Sequence, residues 1–277
     1  MFYDFIEIGT SDFDTEIQKY PMKRGISIEP IQYYIDRLPD SPTCTKLNMA
    51  ISNYNGTGKV FYLSEETIHL HSFPSYVRGC NSVNSYHSTV SQLCREKNLQ
   101  IEDIATSYDI PIRRLSSVFE DTMITGVYYL KIDTEGHDTV ILKDFYETIT
   151  PFTMPHVILF ESNILSSISD VDEIISLYEG KGYDVIYRRE DTLLYRNLTK
   201  GVKTQFTEKI PEYYIMDYPP GYTIESLPHE NTLSAAKEFC RNGNYSGITL
   251  QDGIYQVRSG KYIHYCSTIQ CASWVYC

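Results

Sequence analysis

The sequence contains no run approaching the roughly 18–20 uninterrupted apolar residues of a membrane span, so a membrane partner is not expected. Its opening, MFYDFIEIG, has neither the basic start nor the apolar length of a secretory leader, and a soluble, cytoplasmic protein is the expectation. Basic residues are in deficit. The 24 Lys and Arg face 36 Asp and Glu, and the resulting formal charge of -12 opposes any sequence-independent grip on phosphate backbones, so no nucleic-acid partner is expected. No CxxC pair occurs among the seven cysteines, and the late cluster Cys240, Cys266, Cys271 and Cys277 fits no common zinc spacing. Free thiols are expected for Cys44, Cys80 and Cys94, while disulfides stay open for the last four. The sequons at Asn55, Asn197 and Asn244 read as chance without a secretory route. What is abundant is tyrosine, 25 residues, a count that points to no function by itself.

At 277 residues the chain can bury a full α/β core without metal or disulfide support. FYDFIEI, ended by Gly9, reads as a buried strand and turn, and DFDTEIQKY as a short helix. RGISIEP gives a second strand, with Glu29 held extended by Pro30, and IQYYIDRL a second helix. TKLNMAIS and GTGKVFYLS follow as strands, and this alternation predicts a parallel sheet with covering helices. Residues 64–107 are polar and weakly periodic apart from a helix around VSQLCREKN, which predicts a long irregular insertion. Regular pattern returns with IPIRRLSSVFEDT, the central strand GVYYLKID and the helix HDTVILKDFYETI, whose Val140, Ile141, Phe145 and Ile149 should face the sheet. PHVILFES is a buried strand, DVDEIISLYEGKG a helix, and YDVIYRRE with DTLLYRN a hairpin. Past Asn197 a tract rich in proline and tyrosine reads as a wrapping linker. TLSAAKEFCRNG then forms a helix capped by Thr232, and strand runs break at Asp252-Gly253 and Ser259-Gly260. The expected division is a domain at 1–198, a linker at 199–222 and a small cysteine-containing α+β module at 223–277.

The chemistry concentrates at strand ends. Ligands of open α/β sheets sit beyond the carboxyl ends of strands, where Gly9 would let backbone approach closely. The GxGxxG fingerprint is absent, Ser11 and Asp14 standing where glycines are expected, so pyrophosphate is not the ligand; Asp12 reads as a cap for the next helix. Glu29, about twenty residues on at the end of the second strand, can accept hydrogen bonds from both ribose hydroxyls. A nucleoside without pyrophosphate suggests S-adenosylmethionine. In YYLKIDTEGHD, Asp133, Glu135 and His137 are either a reaction centre or a polar strand end with a helix cap; Lys131 shares the strand face of Asp133. Asn81, Ser82 and His87 in the insertion, with Glu161 at the next strand end, are candidates for the acceptor side, against an ordinary polar loop.

FIEIGTSDFDT, GISIEP, NMAIS and above all LSSVFEDTMITGVYYLKIDTEGHDTVILKDF followed by PHVILFES resemble the FkbM family of S-adenosylmethionine-dependent methyltransferases. The resemblance covers residues 2 to about 197, with LKIDTEGHD its most specific element. It implies a Rossmann-like methyltransferase sheet, mostly parallel, of seven strands with the last antiparallel. It also implies O-methylation of a hydroxyl on a sugar, glycan or natural product. By the same resemblance Glu7, Gly9, Thr10 and Ser11 border the methionine part of the cofactor, Glu29 the ribose, and Ala50 with Ile51 the adenine, Asn48 beside them.

Asp133, Glu135 and His137 would then stand between cofactor and acceptor. His137, with an unperturbed pKa nearest neutrality, is the first candidate base, and Asp133 or Glu135 the second; the two carboxylates can instead hold a divalent cation. A catalytically silent fold acting as a binding platform through its C-terminal module is the competing reading. A nucleotide-dependent oxidoreductase lacks its glycines. The tail is expected to cover the site's mouth, form a homo-oligomer, or recognise a glycan.

Overall fold

A computed structural model describes residues 1–223, 232–266 and 270–277. The parts of the expected module at 224–231 and 267–269 therefore lie outside the described residues. The chain opens with β1 (Phe2–Ile8), α1 (Glu16–Lys19), β2 (Gly25–Ile28), α2 (Gln32–Ile35) and β3 (Cys44–Leu47). There follow β4 (Ala50–Ser52), β5 (Gly56–Tyr62), α3 (Glu65–Leu70), a 3-10 turn at Ser75–Arg78, β6 (Ser82–Val83), α4 (Ser88–Glu96), α5 (Ile101–Ile104) and β7 (Thr106–Arg114). The domain then continues through α6 (Leu115–Asp121), β8 (Gly126–Ile132), α7 (Asp138–Thr148), β9 (Val157–Glu161), α8 (Ile168–Gly180), β10 (Tyr183–Arg188) and β11 (Asp191–Arg196).

The central sheet runs β10-β11-β9-β8-β1-β2-β3. Its strands are parallel except β11, which lies antiparallel between β9 and β10. Ile6 sits opposite both Ile26 and Leu130, and all three are fully buried, as a parallel sheet covered on both faces requires. Ile141, Leu142 and Phe145 of α7 and Val171, Ile174 and Tyr178 of α8 close that core.

TKLNMAIS is not one strand. The Asn48 amide donates at 3.0 Å to the carbonyls of both Glu29 and Pro30, turning the chain so that Ala50–Ser52 pairs with β7 in a second sheet, order β4-β7-β5-β6. The expected irregular insertion is also ordered. Ile68, Phe73, Val77, Val90 and Cys94 pack into a small core of their own, built from helices too short for their periodicity to stand out in a sequence window. Asp12 is not the cap of α1; Thr15 is, in a capping box with Gln18.

The C-terminal segment forms β12 (Ile210–Pro211), β13 (Tyr213–Ile215), α9 (Leu233–Asn242), β14 (Gly247–Gln251), β15 (Ile254–Arg258), β16 (Ile263–Tyr265) and β17 (Cys271–Val275). Thr232 caps α9 through the Ala235 amide, and the β14–β15 hairpin turns at Asp252-Gly253, both with positive φ. Cys44, Cys80, Cys94, Cys240, Cys271 and Cys277 carry free thiols. Leu198, Ile210, Tyr213, Ile215 and Ile263 pack with Phe2, Tyr128 and Phe152, and Tyr213 Oη donates to Asp4 Oδ1 at 2.9 Å. These contacts lie at the amino ends of β1 and β8, so the described tail does not cover the carboxyl ends roughly 20 Å away, given ~3.3 Å per strand residue. Among the described residues no helix is long and apolar enough to cross a membrane.

Candidate active site

A cavity of about 500 Å³ opens at the carboxyl ends of β1, β2, β4 and β8. The β1 turn forms its floor. Gly9 takes φ +75°, and a Cβ there would meet the Asp133 carbonyl oxygen at 1.9 Å, so only glycine lets the turn cross the end of β8. Glu29 is 3 % exposed, and its carboxylate accepts from the Ser11 and Ile31 amides, each at 2.8 Å. Burial outweighs those bonds and raises its pKa to about 7. The hydroxyl of Ser11 and the side-chain oxygen of Asn81, both on the cavity lining, are buried without a partner.

The loop after β8 supplies the opposite wall. Glu135 and Gly136 take positive φ, reversing the chain so that Asp133, Glu135 and His137 all line the cavity. Asp138 anchors this turn from below. Its buried carboxylate accepts from the Thr134 amide and hydroxyl and from the Glu161 amide, tying the ends of β8 and β9 together, and burial lifts its pKa to about 7. Burial likewise raises Asp133, while Lys131 Nζ at 3.8 Å pulls it down. His137 Nε2 stands 3.0 Å from Ser52 Oγ, and burial holds the imidazole below its ordinary pKa. The ring is therefore neutral at pH 7 and free to take a proton.

The insertion forms the third wall through Gly79, Asn81, Ser82 and Asn84. It is latched to the β1 turn by Asp12, whose side chain is 4 % exposed and pairs with both Arg37 and Arg78. Arg78 also reaches Glu65 at 2.8 Å, and its carbonyl accepts from Tyr34 Oη at 3.0 Å. Among the described residues lining the cavity there is no Lys or Arg.

Residues 7–185 match the model of the methyltransferase FkbM domain. The chain belongs to the FkbM methyltransferase family. A search of curated proteins found no match.

Of the residues expected from sequence to form the site, Gly9, Thr10, Ser11, Glu29, Ala50, Ile51, Asn81, Ser82, Asp133, Glu135 and His137 line one cavity. Four others do not. Glu7 is fully buried beneath it, accepting from the Glu16 and Ile17 amides at 2.6 and 3.3 Å and from Ser27 Oγ at 2.5 Å, so its carboxylate fastens α1 to the sheet. Asn48 is spent on the bend between β3 and β4. His87 caps α4 through the Thr89 amide, and Glu161 accepts from Asn163, both behind the lining. Ser52, Asn53, Tyr54 and Phe13 escaped sequence reading, because only the displacement of β4 into the second sheet and the fold of the β1 turn bring them to the cavity.

Proposed function

We propose that the protein is an S-adenosylmethionine-dependent O-methyltransferase acting on a hydroxyl of an uncharged sugar, glycan or natural product. The observation that carries this reading is one cavity with the Gly9 turn and Glu29 on one side and Asp133, Glu135 and His137 on the other. The residues present fit the cofactor. Gly9 opens the turn, Ser11 Oγ awaits a partner, Glu29 is rigidly held for ribose hydroxyls, and Ala50 with Ile51 offers an apolar surface for an adenine. When bound, that group supplies an electrophilic methyl on a sulfonium. The acidic lining suits a cationic donor, and the lack of basic side chains disfavours a phosphorylated or carboxylated acceptor.

His137 would take the proton of the acceptor hydroxyl, the bound cofactor supplying the methyl group that replaces it. Ser52 fixes the ring's orientation. Asn81, Ser82 and Asn84 supply neutral donors and acceptors to a polyol, and the exposed rings of Phe13 and Tyr54 offer stacking surfaces. Calorimetry with S-adenosylhomocysteine tests the cofactor assignment: saturable binding is expected in the wild type, weakened at least ~10-fold in Glu29→Ala. No binding in either sinks it. Labelled cofactor screened against neutral sugars, glycans and hydroxylated metabolites, beside their phosphorylated counterparts, tests the acceptor class.

A further inference from the structure

Behind the cavity wall, three side chains from separate elements converge: Cys80 after the 3-10 turn, His87 at the start of α4, and Glu135 after β8. Their donor atoms all lie within 4.8 Å of one another. Cys80 is 9 % exposed and His87 6 %. His87 Nδ1 accepts from the Thr89 amide at 3.2 Å, which aims Nε2 into the cluster. There it stands 3.3 Å from Glu135 Oε2, out of hydrogen-bond alignment and with no other partner. The Cys80 thiol is within electrostatic reach of Glu135 and of Glu161, whose Oε2 is also buried without a partner. The cluster thus gathers acid groups and an orphaned imidazole nitrogen with no lysine or arginine ion-paired to Glu135 or Glu161 among the described residues.

We propose that Cys80, His87 and Glu135 form a binding site for zinc or another borderline divalent transition metal. A thiolate, an imidazole and a carboxylate suit such an ion, whereas magnesium takes oxygen donors and would not select this set. Around a tetrahedral zinc, ligand atoms stand roughly 3.3–3.8 Å apart, so about 1 Å of side-chain adjustment closes the cluster. Loading releases the Cys80 proton to solvent. It also shifts the His87 proton from Nε2 to Nδ1, and the Thr89 amide loses its acceptor. Three protein ligands leave a fourth position for water, and because Glu135 also lines the cavity, the ion would fix that carboxylate at the cavity's edge. The site is independent of the methyl-transfer reading.

The test is titration of the reduced, full-length chain with Co2+ alone. One equivalent should bind, with thiolate-to-cobalt charge-transfer absorption. Cys80→Ser should abolish that band, His87→Ala should weaken binding at least ~10-fold, and Cys271→Ser, in the tail, should change neither. Zn2+ should displace the cobalt while Mg2+ does not. Hydrogen exchange at the Thr89 amide should quicken on loading, a signature that decides the matter with His87→Ala if Cys80→Ser does not fold. Absence of the band in the wild type, its persistence in Cys80→Ser, or its loss in Cys271→Ser would overturn the assignment.

Discussion

His137 sits where a helix begins, a strand ends and a serine from another sheet reaches in, and its properties follow from that meeting. Burial lowers its pKa, so the neutral base persists to lower pH than free histidine allows. The acid limb of kcat/KM should therefore fall below pH 6.5, the ordinary value, and disappear in His137→Gln. Turnover in His137→Ala should drop about 10²–10⁴-fold while S-adenosylhomocysteine affinity stays within about threefold; near-normal turnover would remove His137 as the base. Gly9 makes the opposite kind of contribution, through the side chain it lacks. Gly9→Ala forces a Cβ onto the Asp133 carbonyl at φ +75°, and the dihedral alone costs ~1–3 kcal/mol. Urea unfolding should show a loss at least that large.

At the scale of elements, the cavity is a junction of three loops and one short strand, and ion pairs decide how they meet. Asp12 and Arg78 join the β1 turn to the insertion, with Ser11 and Phe13 flanking one partner and Gly79 close to the other, all on the lining. Arg78→Ala should leave S-adenosylhomocysteine affinity within about threefold, because Glu29 and Gly9 are untouched. It should also speed amide exchange across 79–85 and raise the acceptor KM about tenfold. Unchanged exchange in that variant would show that the small core of Ile68, Phe73 and Val77 holds the wall without the latch.

For the whole molecule, buried titratable groups set the stability profile. Glu29 and Asp138, each at about 7, and Glu161, at about 8, are all raised by burial, so the stability they lend as neutral acids is lost progressively as pH rises from the ordinary carboxylate range to those values. His137, His156 and His264 are lowered by burial, and their contribution is lost as pH falls below 6.5. Above pH 6.5 the histidines add nothing further while the acids are still losing theirs, so stability should fall between pH 6.5 and 8, which urea midpoints measured across that range would show. The tail belongs to the same ledger of burial. Ending the chain after Leu198 exposes Phe2, Tyr128 and Phe152, and such a truncation should unfold at lower urea or aggregate.

Local pattern carried much of this protein. The continuous apolar run of FYDFIEI, the proline after Glu29 and the helical spacing after His137 are constraints within a few residues of one another, and a strand end with two acids and an imidazole needs no distant partner to be visible. The fates of Glu7 and Asn48 were not visible, because whether a strand-end carboxylate faces a ligand or the helix behind it depends on where α1 packs. Nor could spacing reveal that β4 leaves the central sheet and delivers Ser52 to His137, 85 residues away along the chain. Sequence alone determined the alternation of strands and helices and the acids at the strand ends, since these rest on residue type and short-range periodicity. Only the tertiary structure decided which polar groups face the cavity and which are consumed in holding it open, because a buried donor or acceptor must find its partner wherever the packed chain brings one.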